Sequence, residues 1–448
     1  MTIGINAAAA MRQPRTGVEE YTYQLIKHLT MLPEAKEHRF LLYMPAVARL
    51  GRAKAGAYEW DGDKNTNKIP PTPPFSKGGE EGIFDFPLPE NFILKKLRWP
   101  LPMWTQLRLS AELLRHQPDV LFIPAHVLPL IHPKNSVVSV LGLEFEYYPE
   151  TYSFWRRQYL RYATRYAVKN AKKIIAISEN TKRDLIELYG VSAEKIKTVY
   201  LGINDIKSCH SRPASVIPAK AGIQYGVNSS GNPESGSRLK AGMTIPRDPY
   251  LLYLGRIETK KNIQGILDAY KILKEKYRIP HQLVLAGPPG YGYKKIKLLI
   301  QNFPPAGDLP KGEKFKIIPL RGISQREKNW KLNILELGYV TEQEKQQLLA
   351  GADIFLFPSF YEGFGIPILE AQAAGAPVVS SNISSMPQVA GRAALLVNPK
   401  NPEEIAQAVY KIIDDSVLRD RLIQLGYENV KKFSWKKCAR ETLEILLH

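Results

Sequence analysis

Two glutamates, Glu362 and Glu370, stand eight residues apart in a glycine-rich segment of this 448-residue chain. The segment follows an apolar run at residues 353–357 that is typical of a buried strand. Pro367 suits the start of a helix, so the second glutamate should lie in the first turn of that helix. The N–H groups at such a start suit a diphosphate, and each carboxylate could hold sugar hydroxyls. From spacing alone, a glycine turn with two solvated acids explains the pattern equally well.

Arg256 and Lys261 form a second candidate set. They lie between an apolar run at residues 250–255 and an amphipathic stretch at 262–277, so the pattern predicts a strand, a turn and a helix. Open α/β sheets bind ligands at the carboxyl ends of their strands. Two cations there could neutralise a leaving diphosphate. A solvated basic turn is the alternative interpretation.

Apolar runs alternate with helical patterns in two blocks, which predicts an α/β fold with parallel sheets. The blocks indicate a first domain at residues 1–205, a second at 247–432 and a final helix at 433–448. Three segments rich in proline, glycine and polar residues interrupt them, at about 62–91, 206–246 and 301–331. Such composition buries little apolar surface, so these segments are predicted to be inserted loops or linkers.

The formal net charge of +19 favours anionic partners, such as phosphates or acidic lipids. No zinc-finger, RRM or KH signature accompanies it, so nucleic acid is not expected as a partner. The two cysteines form no CxxC pair, and no metal site is predicted. We find no signal-peptide pattern and no window of about 18 apolar residues, which favours a cytoplasmic location.

Residues 154–173 carry seven basic side chains and no acidic one. Four aromatic residues recur there at helical spacing and form a stripe on one face: Trp155, Tyr159, Tyr162 and Tyr166. Two interpretations remain open. The rings could pack in the core beneath a solvated basic face, or the helix could dock on anionic lipid.

In their order and spacing, these segments resemble glycosyltransferase family 4, a group of retaining enzymes with the two-domain GT-B fold. The resemblance covers most of the chain outside the three interrupting segments. It is carried by the following residues: Gly17-Val18 with Tyr21, Ala176-Ile177-Ser178 with Thr181, Gly202-Ile203-Asn204, Gly255-Arg256 with Lys261, Ala286-Gly287, Gly338-Tyr339-Val340, Pro358-Ser359 leading to Glu362 and Glu370, and Phe433-Ser434-Trp435.

The resemblance implies two Rossmann-like domains facing a cleft, with the last helix crossing back to the first domain. It implies transfer of a mannose- or glucose-type hexose from a GDP- or UDP-sugar, bound by the second domain. The acceptor would be a glycan or a lipid-linked sugar on the first domain, in cell-surface polysaccharide synthesis. It implies no metal and no cofactor, and it leaves open peripheral contact with the inner face of the plasma membrane.

The resemblance also implies roles for individual residues. Arg256 and Lys261 would bind the donor diphosphate and stabilise its charge as it leaves. Glu362 would contact hydroxyls of the transferred sugar. Glu370 would hold the ribose, and Val340 would meet the base.

Further donor contacts would come from the backbone amides of Phe364, Gly365 and Ile366, and Gly17 would let a loop of the first domain close over the phosphates. The chain departs from the family pattern at Leu141, where many members carry a histidine that touches the sugar. This departure motivates an alternative, a catalytically decayed binding or scaffold protein. A nucleotide-sugar isomerase with the same fold is a second alternative.

Overall fold

The computed structural model describes residues 1–12, 15, 17–46, 84–99, 103–204, 248–303 and 334–448. The predicted linker at 206–246 and most of the predicted loops at 62–91 and 301–331 lie outside this part of the chain. The chain divides into two compact units. The first comprises Met1–Gly202 with Ser434–His448, and the second comprises Ile203–Phe433.

Within the described residues of the first unit, the sheet has seven strands: β1 (Thr2–Asn6), β2 (Arg39–Pro45), β3 (Phe92–Leu97), β4 (Val120–Ile123), β5 (Ser136–Val140), β6 (Lys173–Ala176) and β7 (Ile196–Thr198). All neighbours pair in parallel, in the order β3-β2-β1-β4-β5-β6-β7. Every residue of β4 and β5 is buried, as expected for central strands covered on both faces.

Helices cover this sheet: α1 (Gly17–Leu29), α2 (Ser110–Arg115), α3 (Glu144–Tyr147), α4 (Phe154–Asn170) and α5 (Glu179–Tyr189). Residues next to α5 in sequence determine where this helix begins and ends. Ser178 caps its first turn by accepting the N–H of Thr181 at 3.1 Å, and Gly190 ends the helix at a φ of 64°.

The second unit repeats this plan, with six strands in its described ranges 248–303 and 334–433: β8 (Tyr250–Leu254), β9 (Gln282–Ala286), β10 (Ile334–Gly338), β11 (Ile354–Phe357), β12 (Val378–Ser381) and β13 (Ala394–Val397). They are parallel, in the order β10-β9-β8-β11-β12-β13. The sheet order reverses between β8 and β11. The carboxyl ends of these two strands therefore define the place where such sheets bind ligands.

The following helices accompany the second sheet: α6 (Ile263–Glu275), α7 (Tyr293–Gln301), α8 (Glu342–Gly351), α9 (Ile366–Ala373), α10 (Met386–Ala390), α11 (Pro402–Asp414) and α12 (Ser416–Val430). A capping box joins Thr341 and Glu344 at the start of α8. Of the helices in the described part of the chain, none has both the length and the apolar character that crossing a membrane requires. The predicted α/β class, with a parallel sheet in each block, is confirmed.

The last helix, α13 (Trp435–Leu447), packs on the first unit although it follows the second in sequence. The ring of Trp435 lies 6.5 Å from that of the buried Tyr21, and Arg440 reaches Glu34 at 3.2 Å. The chain passes so close to Gly202 that a Cβ there would stand 2.1 Å from the backbone nitrogen of Trp435. Only glycine permits this approach, so the expected return of the last helix is confirmed.

Of the two interpretations left open for the aromatic stripe of α4, packing in the core is wrong for three of its four rings. Trp155 and Tyr162 are 81% and 64% exposed, and Tyr159 is 41% exposed. The helix instead buries its opposite side, which consists of small side chains: Ala163, Thr164, Ala167 and Val168. Small residues let the helix backbone approach β5 closely, and this leaves the larger rings outside.

Candidate functional site

Arg256 lies in the turn after β8, at the carboxyl edge of the second sheet, and its side chain is exposed. The phenol of Tyr253 donates to the Arg256 carbonyl oxygen at 2.8 Å. Burial raises the pKa of this phenol well above its ordinary value, Glu362 and Glu258 raise it further, and Arg256 lowers it. Arg256 follows β8 and Glu362 follows β11, and these two strands are paired neighbours, which places both residues at the same edge of the sheet.

Lys261 closes a short turn, Thr259–Lys261, that leads into α6. Its ammonium group forms an ion pair with the carboxylate of Glu362, 101 residues later in the chain. The two side chains are only 15% and 14% exposed, so salt screens this pair less than a surface pair. The ammonium also lies 5.6 Å from the centroid of the Phe357 ring. Two residues named separately from the sequence thus meet in the fold.

Asn262 fixes the backbone that carries Lys261, a role that the sequence did not reveal. It adopts a left-handed conformation with a φ of 59°, and its side chain accepts the N–H of Gly265 at 3.2 Å. Its amide group donates to the carbonyl oxygens of Pro358 at 3.1 Å and Pro399 at 2.6 Å. The side chain is buried, so one residue ties three loops of the second unit together.

We expect Asn262→Ala to destabilise the second unit by about 3 kcal/mol, because it removes a helix cap, two buried hydrogen bonds and a residue tolerant of positive φ. Thermal unfolding of the full chain measures this. Asn262→Gly loses the same side-chain hydrogen bonds but tolerates the positive φ. Its melting temperature should therefore lie between those of Asn262→Ala and the wild type. Equal melting of Asn262→Ala and the wild type would contradict the role given to this side chain.

Two serines hold the loop that carries Glu362. Ser384 accepts the N–H of Glu362 at 3.2 Å, and its hydroxyl lies 2.8 Å from the carbonyl oxygen of the same residue. The hydroxyl of Ser385 lies 2.8 Å from that carbonyl oxygen and 2.6 Å from that of Phe364. These contacts fix the direction of the loop. A Ser-Ser pair carries no motif signal, so the sequence could not identify it.

The loop then enters α9 through Gly365, which has a φ of 116° and makes no side-chain cap. At this helix start Pro367 has no N–H, and the N–H of Ile368 donates to the Gly365 carbonyl oxygen at 3.0 Å. The N–H of Ile366 lies at the first helical position, where the helix itself provides no acceptor. Phe364 anchors the turn, since its buried ring packs edge-on against Phe433 at 5.8 Å. The three predicted backbone contacts, at Phe364, Gly365 and Ile366, thus occupy one helix N-terminus, which suits an anion.

Glu370 lies one turn into α9 and forms an ion pair with Lys345 of α8 at 2.7 Å. Lys345 also reaches Glu342 at 2.8 Å. Burial lowers the pKa of Lys345, but the two carboxylates outweigh this effect and leave the pKa above its ordinary value. Lys345 therefore remains charged and holds the Glu370 carboxylate in place. The sequence gave no signal for it, because a lysine on a helix is ordinary.

Val340 lies half-buried in the turn between β10 and α8. Gly287, which follows β9, lies between the ends of β8 and β10. Its N–H donates to the Gly338 carbonyl oxygen of β10 at 2.7 Å. A Cβ at Gly287 would stand 1.9 Å from the carbonyl oxygen of Gly255. Glycine at this position is thus needed for the turns that carry Val340 and Arg256 to share one edge.

Gly17 belongs to the first unit, where it begins α1, and an added Cβ there would meet nothing within 4 Å. Leu141 follows β5 in the same unit. The nearby Glu144 accepts a hydrogen bond from the hydroxyl of Tyr152 at 2.8 Å. The remaining predicted residues belong to the second unit.

The second unit thus presents a basic turn, a carboxylate loop and a helix N-terminus without a side-chain cap at one sheet edge. Cations and N–H groups can hold a diphosphate, while carboxylates can hold hydroxyl groups. The described residues contain no group of three or more His, Cys, Asp or Glu side chains that could hold a metal ion.

Comparisons with known proteins agree with this architecture. The family model described as Glycosyltransferase Family 4 matches residues 15–206. Two models described as Glycosyl transferases group 1 match residues 240–308 and 291–415. Fold and matches together define a glycosyltransferase of the GT-B class. Within that class, the chain belongs to glycosyltransferase family 4.

Individual relatives span nearly the whole chain. The O-antigen chain mannosyltransferase B of Escherichia coli is 26% identical over 445 residues, covering 98% of each chain. The sucrose-phosphate synthase of Thermosynechococcus elongatus has a TM-score of 0.61 at 15% identity, covering 99% of this chain and 98% of its own. Anabaena HepE, solved with UDP and glucose, has a TM-score of 0.59 at 17% identity, covering 100% and 99%. At such identities the solved structures show the fold alone.

Proposed function

We propose that this enzyme is a retaining hexosyltransferase that uses a nucleotide-diphosphate sugar of mannose or glucose type. The acceptor is a glycan or lipid-linked sugar in cell-surface polysaccharide synthesis. The naming of the Escherichia coli relative as an O-antigen chain mannosyltransferase supports the mannose donor and the polysaccharide role. The observation that carries the proposal is the ion pair of Lys261 with Glu362 at the ligand-binding edge of the second sheet.

In this proposal the donor lies along the second unit. Arg256 and Lys261 bind the diphosphate together with the N–H groups at the start of α9. Glu362 exchanges its bond to Lys261 for bonds to sugar hydroxyls. Glu370, held by Lys345, binds the ribose, and Val340 contacts the base. Such a GDP- or UDP-sugar is a substrate, and the proposal includes no cofactor.

The chemistry follows from the charges. The bond between the anomeric carbon and the diphosphate oxygen breaks, and negative charge grows on the diphosphate beside two cations. The acceptor oxygen attacks the same face of the sugar, and its proton passes to the departing phosphate oxygen. The sugar resembles an oxocarbenium ion at this point. The carboxylate of Glu362 stabilises this positive charge while it is bonded to the sugar hydroxyl groups. We assign no protein nucleophile.

We further propose that transfer needs no metal, because Arg256, Lys261 and the helix N-terminus supply the positive charge. The role of Gly17 at the donor phosphates stays a prediction from the family resemblance. The enzyme works in the cytoplasm, where nucleotide sugars are made, at the inner face of a membrane that displays the acceptor.

The test is a transfer reaction in the presence of EDTA. The full chain is incubated with GDP-mannose or UDP-glucose and a mannose-terminated glycolipid, and the product is examined by proton NMR. We expect one donor to be used, with the same anomeric configuration in product and donor. An inverted product or loss of activity in EDTA would contradict the mechanism. Donor binding without transfer to any acceptor would instead favour the decayed binding protein that Leu141 suggests.

A further inference from the structure

Helix α4 exposes an aromatic surface that the donor site does not explain. Trp155, Tyr159 and Tyr162 follow one another at helical spacing, and all three are exposed. Phe154, 65% exposed, packs edge-on against Trp155 at a centroid distance of 5.4 Å. The stripe continues into Tyr166, which is half-buried.

A neighbouring loop extends this surface. The Tyr166 hydroxyl donates to the Leu130 carbonyl oxygen at 2.9 Å, which ties the loop to the helix. The side chains of Leu130 and Ile131 are 50% and 36% exposed. Exposed rings on one helix and exposed aliphatic residues beside them form a larger apolar area than scattered surface residues would.

Positive charge flanks the rings on both sides. At about 100° per residue, Arg165 and Lys169 lie on one side of the stripe and Arg156 on the other, and all three are exposed. The other two arginines of the helix, Arg157 and Arg161, turn inward to Glu146 at 3.8 and 3.0 Å. Glu146 thus pairs with the two inner arginines, while Arg156, Arg165 and Lys169 lie on the exposed face. No acidic residue occurs in α4 itself.

This arrangement matches the surface of an anionic bilayer. Tyrosine and tryptophan have an apolar body and a polar tip, which suits the boundary between headgroups and acyl chains. Flanking cations are attracted by anionic headgroups. A second copy of the chain would bring the same cations opposite one another and be repelled.

We propose that α4 docks this enzyme on anionic phospholipid. The helix lies parallel to the membrane, with Trp155, Tyr159 and Tyr162 in the headgroup boundary and Arg156, Arg165 and Lys169 on lipid phosphates. The inference deepens the proposed function by naming the surface that meets a lipid-linked acceptor. The docking itself depends on none of the donor residues, so the two proposals can fail separately.

The experiment is cosedimentation of the full chain with vesicles of phosphatidylglycerol and phosphatidylcholine in equal parts, against vesicles of phosphatidylcholine alone. We expect binding only to the anionic vesicles, weaker at higher salt. The variant Trp155→Ser/Tyr159→Ser/Tyr162→Ser should lose at least about tenfold in vesicle affinity. It should keep its melting temperature, because these side chains are exposed.

The matched control is Leu114→Ser/Val417→Ser, which removes apolar side chains that are 67% and 78% exposed elsewhere. It should bind vesicles like the wild type. Undiminished binding by the aromatic variant would overturn the proposal, since the charge of +19 alone would then hold the chain. Absence of wild-type binding, or retention by RNA and not by vesicles, would overturn it too. Thermal stabilisation by nucleotide sugars, measured in parallel, reports on the donor site alone.

Discussion

Lys261→Met is expected to lower kcat/KM for sugar transfer by roughly two to three orders of magnitude. The proposed transition state places growing negative charge on the leaving diphosphate, and the mostly buried ammonium group of Lys261 meets it in a poorly screened environment. The variant should also bind GDP or UDP more weakly. Initial rates and calorimetry on the full chain measure the two effects.

The neighbouring Lys260 provides the control. It is also 15% exposed, but its ammonium group pairs with Glu258 at 3.5 Å and not with Glu362. Lys260→Met should change kcat/KM by no more than a few-fold. Equal losses in the two variants, with both proteins folded, would mean that the positive charge of the turn matters and the position of Lys261 does not.

Glu362→Gln is expected to separate donor binding from transfer. Before the donor binds, the carboxylate of Glu362 forms an ion pair with the ammonium group of Lys261. Glutamine removes the charge that competes for Lys261 and that repels the diphosphate. Free GDP or UDP should therefore bind several-fold more tightly, a gain in binding free energy of about 1 kcal/mol. Transfer should nevertheless fall by roughly a hundredfold, because the sugar loses its carboxylate partner.

Calorimetry with the free nucleotide and initial rates with the intact donor test this separation. Glu258→Gln is the matched control, since that side chain is 10% exposed and pairs with Lys260. We expect it to leave nucleotide affinity near the wild-type value. If Glu362→Gln weakens nucleotide binding and transfer in parallel, the ion pair serves the structure of the loops and not the exchange of partners.

The fold was accessible from sequence because its central strands are short apolar runs whose spacing repeats in both halves. The strand β8, for example, is buried at every residue, and its pattern alone predicts it. The pairing of Lys261 with Glu362 was not accessible. It depends on β8 and β11 being neighbours, with Leu251 opposite Ile354, although β9 and β10 intervene in the chain.

Supporting residues were missed for a related reason. Ser384, Ser385 and Lys345 are common residue types, and only their tertiary partners give them a role. The sequence left the buried face of α4 open for a different reason. Helical periodicity identifies a face, but the choice of which face is buried rests on how closely the neighbouring strand can approach. Ala163 and Ala167 allow that approach, and the aromatic side does not.

Calorimetric titration of the full chain with GDP-mannose, UDP-glucose and related donors tests the central claim most directly, namely that the second unit holds a nucleotide-diphosphate sugar. We predict that one donor binds with a Kd between about 1 μM and 1 mM, more weakly in Lys261→Met. Absence of binding by every GDP- and UDP-sugar, from protein that melts cooperatively, would contradict the assignment of Arg256, Lys261, Glu362 and Glu370 to a donor site.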